Sequence, residues 1–393
     1  MAASALPRAV LRRCVSGFRC LGGPLRRTFA GSRGQSCSLT LQPVLPTSSA
    51  CWENLTGHDS TRAESGGGGG GRTLLWAAAA FSLFGSADED QRDEAQRKED
   101  EIILLLKKAK LSLHRGQLQA ASAFLHQAVA LAHQTHNNQA IIYTYSLMAN
   151  VAYVQGQLDS AEKLFKAALS FMLAGGTPQD DNAVIEISLK LATIYAEQNK
   201  AELAEHGFTF CTESLEAKLE KQKMLLAEDP TEELEALRKE TRLLLGLCLD
   251  SRARYRAATL HLKQAGEDYQ KALNICRQEQ GDTHPQTLVM MSDLATILDL
   301  QGRHDDALVL VQQAVELSRS AGHPDQHVLL GNMAGILLHT GWLEDSVRLY
   351  QEALSLARKA GDQEAIERIH EGLEENQDEG PGMSSTPPST PSC

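Results

Sequence analysis

Between residues 101 and 376 the apolar positions follow one recurring frame. A Gly is followed by a small residue five positions later, an aromatic or aliphatic residue nine later and an Ala twelve later. Gly116, Ala121, Leu125 and Ala128 fit it, as do Gly156, Ala161, Phe165 and Ala168. Gly302, Ala307, Val311 and Ala314 repeat it, and Gly341, Ser346, Tyr350 and Ala353 close the series. Asn199, Ala204, Phe208 and Cys211 form a degenerate copy, and Ala265, Tyr269 and Ala272 form another without the Gly. Nineteen residues before the last member of each set an Ala recurs: Ala109, Ala149, Ala192, Ala253, Ala295 and Ala334. These spacings predict pairs of helices, with the Gly in the left-handed turn that ends the first helix. Small residues let the two helices of a pair approach closely, and the larger residue fills the seam to the next pair.

The pattern resembles the tetratricopeptide repeat family, whose unit is a helix A–turn–helix B pair. The fold expected is all-α, a solenoid of about six helix pairs over 101–376 in which stacked pairs share a core that one pair could not bury alone. The last motif positions are spaced 40, 43, 61, 42 and 39 residues apart, so the helices are long. Gly281 to Pro285 (GDTHP) resembles the linker of kinesin-light-chain repeats, and His323-Pro324 echoes it. The 61-residue gap holds an insertion around 217–241. There Asp229 reads as an N-cap and Pro230 as the first residue of a fresh helix. Residues 364–376 read as a capping helix and 377–393 as a disordered tail rich in Pro.

Composition narrows the picture. Aromatic residues are only 5%, which disfavours an all-β fold. Only four of the 12 Pro fall between residues 102 and 376, as long helices require. Residues 1–72 carry nine Arg, no Lys and three acids, whereas the remainder carries 29 basic and 47 acidic residues. A body that acidic excludes nucleic acid as the main partner, because neutralising phosphates needs a basic footprint. The eight Cys include no C-x-x-C pair, so neither a zinc ligand set nor a disulfide framework is expected.

The first 50 residues hold seven Arg and no acid, the composition of a mitochondrial presequence, and residues 1–72 are assigned to that leader and its Gly-rich linker. Residues 73–87 are uncharged and end at Asp88-Glu89-Asp90. They are expected to form one short membrane anchor of the inner membrane, with local bilayer thinning. Residues 88–100 are expected as an acidic linker. The positive-inside tendency places the N-terminus in the matrix and the repeats in the intermembrane space.

No P-loop, G-x-S-x-G or H-E-x-x-H motif occurs, so no catalytic, cofactor-binding or metal residues are assigned and no small-molecule substrate is expected. His126, His133 and His136 read as a solvated helix face. Asp180-Asp181 and Asp305-Asp306 read as helix-start residues that complement the dipole. The groove offers Asn150 for a partner's backbone, but Ser146, Leu189 and Thr193 stand where a carboxylate clamp would need cations. Residues 238–263 form a basic island on an acidic chain, and Arg252 and Arg256 occupy positions that are apolar in neighbouring repeats. Arg252, Arg254 and Arg256 are therefore the candidate protein-binding residues for an acidic partner, together with Asn150.

Several stretches are similar to a mitochondrial branch of the tetratricopeptide repeat family: Glu101 to Leu111, Ala140 to Ala152, Gly156-Gln157-Leu158, Asp181 to Ala192 and Met291 to Thr296. That resemblance implies an inner-membrane, non-enzymatic factor for assembly and upkeep of the ubiquinol–cytochrome c reductase complex (respiratory complex III). Its implied partners are subunits of that complex, with the site of action near the Rieske subunit. Two other readings stand beside it: a soluble kinesin-light-chain-like cargo adaptor, and a protease that clears subunit fragments.

Overall fold

The computed structural model describes residues 86–379. The presequence, all but the end of the anchor segment 73–87 and most of the tail 377–393 lie outside the described residues. Among the described residues no helix is long and apolar enough to cross a membrane, and every regular element is an α-helix. The chain divides into two compact units, one ending at Pro178 and one beginning at Gln179.

The first unit holds α1 (Ser86–His114), α2 (Leu118–Gln134), α3 (Asn138–Val154) and α4 (Leu158–Ala174). Here α1 pairs with α2, α3 pairs with α4, and α2 packs on α3. The acidic stretch 88–100, expected as a linker, is helical and continuous with α1.

The second unit holds α5 (Asn182–Glu197), α6 (Ala201–Glu228), α7 (Glu232–Ala258), α8 (Leu262–Gln280), α9 (Pro285–Leu300), α10 (His304–Ala321), α11 (Gln326–His339), α12 (Leu343–Ala360) and α13 (Gln363–Glu379). Successive helices pair antiparallel, and α13 covers α12 as the expected capping helix. The centre of this stack is α9, buried around nearly its whole circumference from Thr287 to Leu300.

The motif residues sit where the spacing placed them. All six alanines of the first helices are fully buried, and so are Ala121, Ala161, Ala204, Ala265, Ala307 and Ser346 opposite them. Ser346 is tolerated among alanines because its hydroxyl donates to the Ala334 carbonyl of the facing helix at 2.8 Å. Leu125, Phe165, Phe208, Tyr269, Val311 and Tyr350 are the buried seam residues. The turn residues Gly116, Gly156, Asn199, Gly302 and Gly341 all take positive φ. Each turn closes with paired backbone bonds of the kind seen at Gly116, whose N–H reaches Leu113 O while that of Gln117 reaches Ser112 O.

Repeat four lacks the turn Gly, yet its turn is unchanged. Leu260 takes φ +66° and makes the same two-bond closure, Leu260 N–H to Ala257 O and His261 N–H to Arg256 O. The insertion is also resolved locally. The expected fresh helix starts here as α7, with Glu232, Glu233 and Glu235 in its first turn, and α6 and α7 are lengthened to 28 and 27 residues as an antiparallel hairpin. The N-cap of α7 is Thr231, whose hydroxyl accepts from Leu234 N–H at 3.2 Å, so Asp229 is not the cap and Pro230 precedes it. Inside the hairpin, Thr241 accepts from Asn182 and Gln222 and donates to the Leu237 carbonyl. The GDTHP linker ends in a helix start, with His284 as N-cap accepting from Gln286 N–H and Pro285 in the first turn.

A leucine in the left-handed region is strained by about 1–2 kcal/mol. Leu260 is 57% exposed and fills no core position, so little packing is lost on its removal. Leu260→Gly is therefore expected to stabilise the chain by about 1 kcal/mol. Gly302→Ala, at the equivalent turn, is expected to cost a similar amount. Thermal unfolding of both variants beside the parent chain checks the pair.

Candidate interaction surface

The sequence singled out three arginines on α7 as a patch facing outward, and the structure turns all three inward. The correction is geometric. Arg252 forms a two-point contact with Asp268 on α8, Nε to Oδ2 at 2.9 Å and a terminal nitrogen to Oδ1 at 2.7 Å. Its other terminal nitrogen donates to the Thr212 hydroxyl on α6 at 2.8 Å. Arg256 donates to the same Asp268 at 2.8 Å and to Glu205 on α6 at 2.9 Å. Arg254 pairs with Asp250 one turn earlier, and both are buried. The arginines of the island are thus committed to carboxylates of their own unit, and Asp268 ties α7 to α8 twice. Arg242 follows the same rule, bridging Glu235 and Glu279.

Asn150, the fourth candidate, is half-buried on α3 of the first unit, whereas the three arginines belong to the second. The hydroxyls of Ser146 and Thr193 donate to backbone carbonyls one turn earlier, Ile142 and Leu189. Of the three histidines read as one face, His126 and His133 lie on α2, and His136 lies beyond its end at φ +51°. His133 does more than face solvent: its Nε2 hydrogen-bonds the Tyr145 hydroxyl at 2.9 Å and its ring packs edge-on against Phe171. Asp181 is the N-cap of α5 as expected, whereas Asp305 and Asp306 lie inside the first turn of α10 behind Arg303.

Around α9 the interior carries charge. Asp293 is buried beside Asp250 and Arg254, and burial, opposed by Arg254 and reinforced by Asp250, pushes its carboxyl up to about 8. Burial raises Asp250 as well, with its Arg254 partner opposing. On α5 burial draws the Lys190 ammonium down and pushes the Glu186 carboxyl up.

At the end of α9 lies a feature that the sequence reading missed. Asp299 is buried, and each of its oxygens meets one imidazole: His304 Nδ1 at 2.7 Å and His339 Nδ1 at 2.6 Å. One carboxylate therefore joins α9, α10 and α11. The two histidines line a surface pocket of about 610 Å³ with Arg303, Leu308 and Trp342, the last 60% exposed. The available signal was an Asp in an otherwise apolar helix end, with histidines five and forty residues on. Among the described residues no group of three His, Cys, Asp or Glu could hold a metal ion. The chemistry on offer is docking: an exposed aromatic, a guanidinium and two imidazoles at the edge of the stack.

The chain is similar to known tetratricopeptide repeat proteins. The Tetratricopeptide repeat family model matches residues 262–320. The chain is 73% identical over 270 residues to "Tetratricopeptide repeat protein 19, mitochondrial" of Danio rerio, covering 69% of this chain and 66% of the relative. It is 54% identical over 214 residues to the protein of the same name in Mus musculus, covering 54% and 58%. The chain thus spans less than two thirds of the length of these curated relatives. Among solved structures, the crystal structure of BtubC from P. vanneervenii matches with a TM-score of 0.46 at 17% identity, covering 61% of this chain and 94% of that one.

Two outcomes follow from the charge geometry. Arg252→Met leaves Asp268 with one cation instead of two and is expected to cost about 3 kcal/mol, read as a lowered unfolding midpoint. The second concerns pH. The folded Asp293 carboxyl at about 8 stands above its ordinary value of 3.8, so the folded chain keeps a proton that the unfolded chain releases in that window. Its contribution is fully present below the lower value and is lost as pH rises through the upper one. Asp293→Asn is expected to flatten this decline, gaining on the order of 3–5 kcal/mol relative to the parent at pH 8 compared with pH 4. Denaturant titrations across that range measure it.

Proposed function

The chain belongs to the tetratricopeptide repeat protein 19 family, and from that premise we propose a non-enzymatic mitochondrial scaffold that assists assembly and upkeep of the ubiquinol–cytochrome c reductase complex. It acts at the inner membrane, near the Rieske subunit, with residues 73–87 as its anchor and the repeats in the intermembrane space. The extended identity with the zebrafish relative carries the reading. The physical form supports it: paired helices spend their small residues on each other and leave outer faces, turns and the α6–α7 hairpin tip available to proteins. Met224, Leu225 and Leu237 on that hairpin are exposed apolar side chains of the kind that docking covers.

Mitochondria lacking the chain are expected to show reduced ubiquinol–cytochrome c reductase activity, restored by the full chain, and mild-detergent immunocapture is expected to recover subunits of that complex. Normal activity with no recovered subunit would overturn the reading. Carbonate washing is expected to leave the chain in the membrane pellet and to release a variant lacking residues 73–87. A full chain that stays outside mitochondria, with or without residues 1–72, would instead favour the soluble cargo adaptor, whose linker the capped His284-Pro285 resembles.

A further inference from the structure

Within the units, α3, α9 and α11 each carry two residues on the seam that the preceding second helix covers. They lie five positions before and two after the motif alanine. In α3 they are Thr144 and Val151, in α9 Met290 and Ile297, and in α11 Leu329 and Ile336, and all six are buried. In α1 the equivalent residues are Leu104 and Leu111, and each is 50% exposed. No described helix packs on this face of α1, so the apolar seam of the first repeat stands open.

The residues around the open seam have a definite order. Asp100 and Glu101 lie one turn before Leu104, Lys107 and Lys108 lie between the leucines, and His114 and Arg115 lie one turn after Leu111. All six flanking residues are exposed. The two leucines are seven residues apart, about 10.5 Å along one face of the helix. The sequence is self-complementary about the midpoint between Lys107 and Lys108. Reversing it there places Leu104 on Leu111, Asp100 on Arg115 and Glu101 on His114.

We propose that this face is the interface of a homodimer, with α1 lying antiparallel on α1 of a second copy across a twofold axis between Lys107 and Lys108. Such a contact is isologous: each leucine meets the other leucine of the second copy, and each acidic end meets a basic end. The lysines at the axis set the strength. Their alkyl stems extend the apolar strip while the ammonium groups turn to water. Lys108 already leans away, its ammonium 5.9 Å from the centre of the Phe124 ring on α2. Repulsion between the axial lysines and the small apolar area make the dimer weak and reversible.

Charge selects the second copy over other occupants. The chain's own leader, residues 1–72, is net basic and would oppose Lys107, Lys108 and Arg115. A uniformly acidic helix of another protein would satisfy those cations but oppose Asp100 and Glu101. An antiparallel copy of α1 answers both ends with its own Arg115, His114, Asp100 and Glu101.

The test is analytical ultracentrifugation of the full chain in density-matched mild detergent, up to concentrations of about 100 µM, where weak interfaces are populated. The parent chain is expected to show a reversible monomer–dimer equilibrium. Leu104→Lys is expected to raise the dissociation constant about tenfold or more. Because Leu104 is half exposed, that variant keeps its fold, which circular dichroism verifies. Lys107→Glu is expected to tighten the dimer by about threefold or more, because it sets a carboxylate against Lys108 of the second copy. A monomer at every concentration overturns the proposal. So does a dimer indifferent to Leu104→Lys, or one that Lys107→Glu weakens, which would mark the face as a site for an acidic partner instead.

Discussion

The structure depends on how closely the two helices of each pair approach. Every pair meets at a contact where both sides present a small residue, and the facing alanines are without exposed surface. At the third repeat the approach is close enough to require a glycine. A Cβ added to Gly207 would stand 2.7 Å from the Cβ of Ala192, a distance that real side chains do not reach. With so little side chain between them, the helices leave no room for a large residue at the contact. The larger residues are displaced to the seam, where Phe165, Phe208, Tyr269 and Tyr350 join one repeat to the next. The low aromatic content of the chain follows from this division of labour. A few large residues at seams suffice when most contacts are made by methyl groups at short range.

The same constraint explains why charge is found inside the second unit. Repeat four opens with the 27-residue α7, turns without Gly, and places arginines where its neighbours place apolar residues. A buried cation is tolerable only when paired and hydrogen-bonded. Asp268 supplies that pairing for two arginines at once from the adjacent helix, and Glu205 and Thr212 complete it from α6. Such a network contributes less net stability than an apolar core of equal volume, but breaking one member is costly. It fixes the register of α7 against both α6 and α8, because two-point guanidinium contacts tolerate little sliding. Around α9 the compensation is incomplete: Asp293 lacks a cation of its own and keeps its proton well above the usual carboxylate range.

Those two features mark the boundary of what the sequence made legible. The helix pairs, the turn positions and the seam residues were readable because each depends on spacing within one repeat, and spacing is visible in a single chain. The left-handed turn at Leu260 extends that lesson: the frame, and not the Gly, sets the backbone. Arg252 and Arg256 were misread because their partners lie 12, 16, 40 and 51 residues away on other helices. A basic run with few local acids looks like a free patch whenever the neutralising carboxylates are distant in sequence. The Asp299–His304–His339 junction escaped for a related reason, since His339 is forty residues from its acceptor. At the insertion, Asp229 lost the cap to Thr231 because Pro230 stands outside the first turn and not within it.

A repeat array has one further physical consequence, carried by its ends. An internal repeat is covered on both sides, so its seam residues are free to be apolar. A terminal repeat has a neighbour on one side only, and solubility then requires a polar outer face. The C-terminal end meets this requirement with α13, whose exposed positions are Gln363, Glu367, His370, Glu371 and Glu374. The outer face of α1 meets it only in part, keeping two leucines at positions that are buried elsewhere in the array. The contrast shows what the leucines are not. They are not residues of a core that α1 shares with α2, because Ile102, Leu105 and Ala109 already fill that role on the opposite side of the helix. Apolar side chains left half exposed, held in ordered spacing between acids and bases, have the form of an interface. The sequence of α1 is then explained on both faces: one built for the repeat, the other for what lies beyond it.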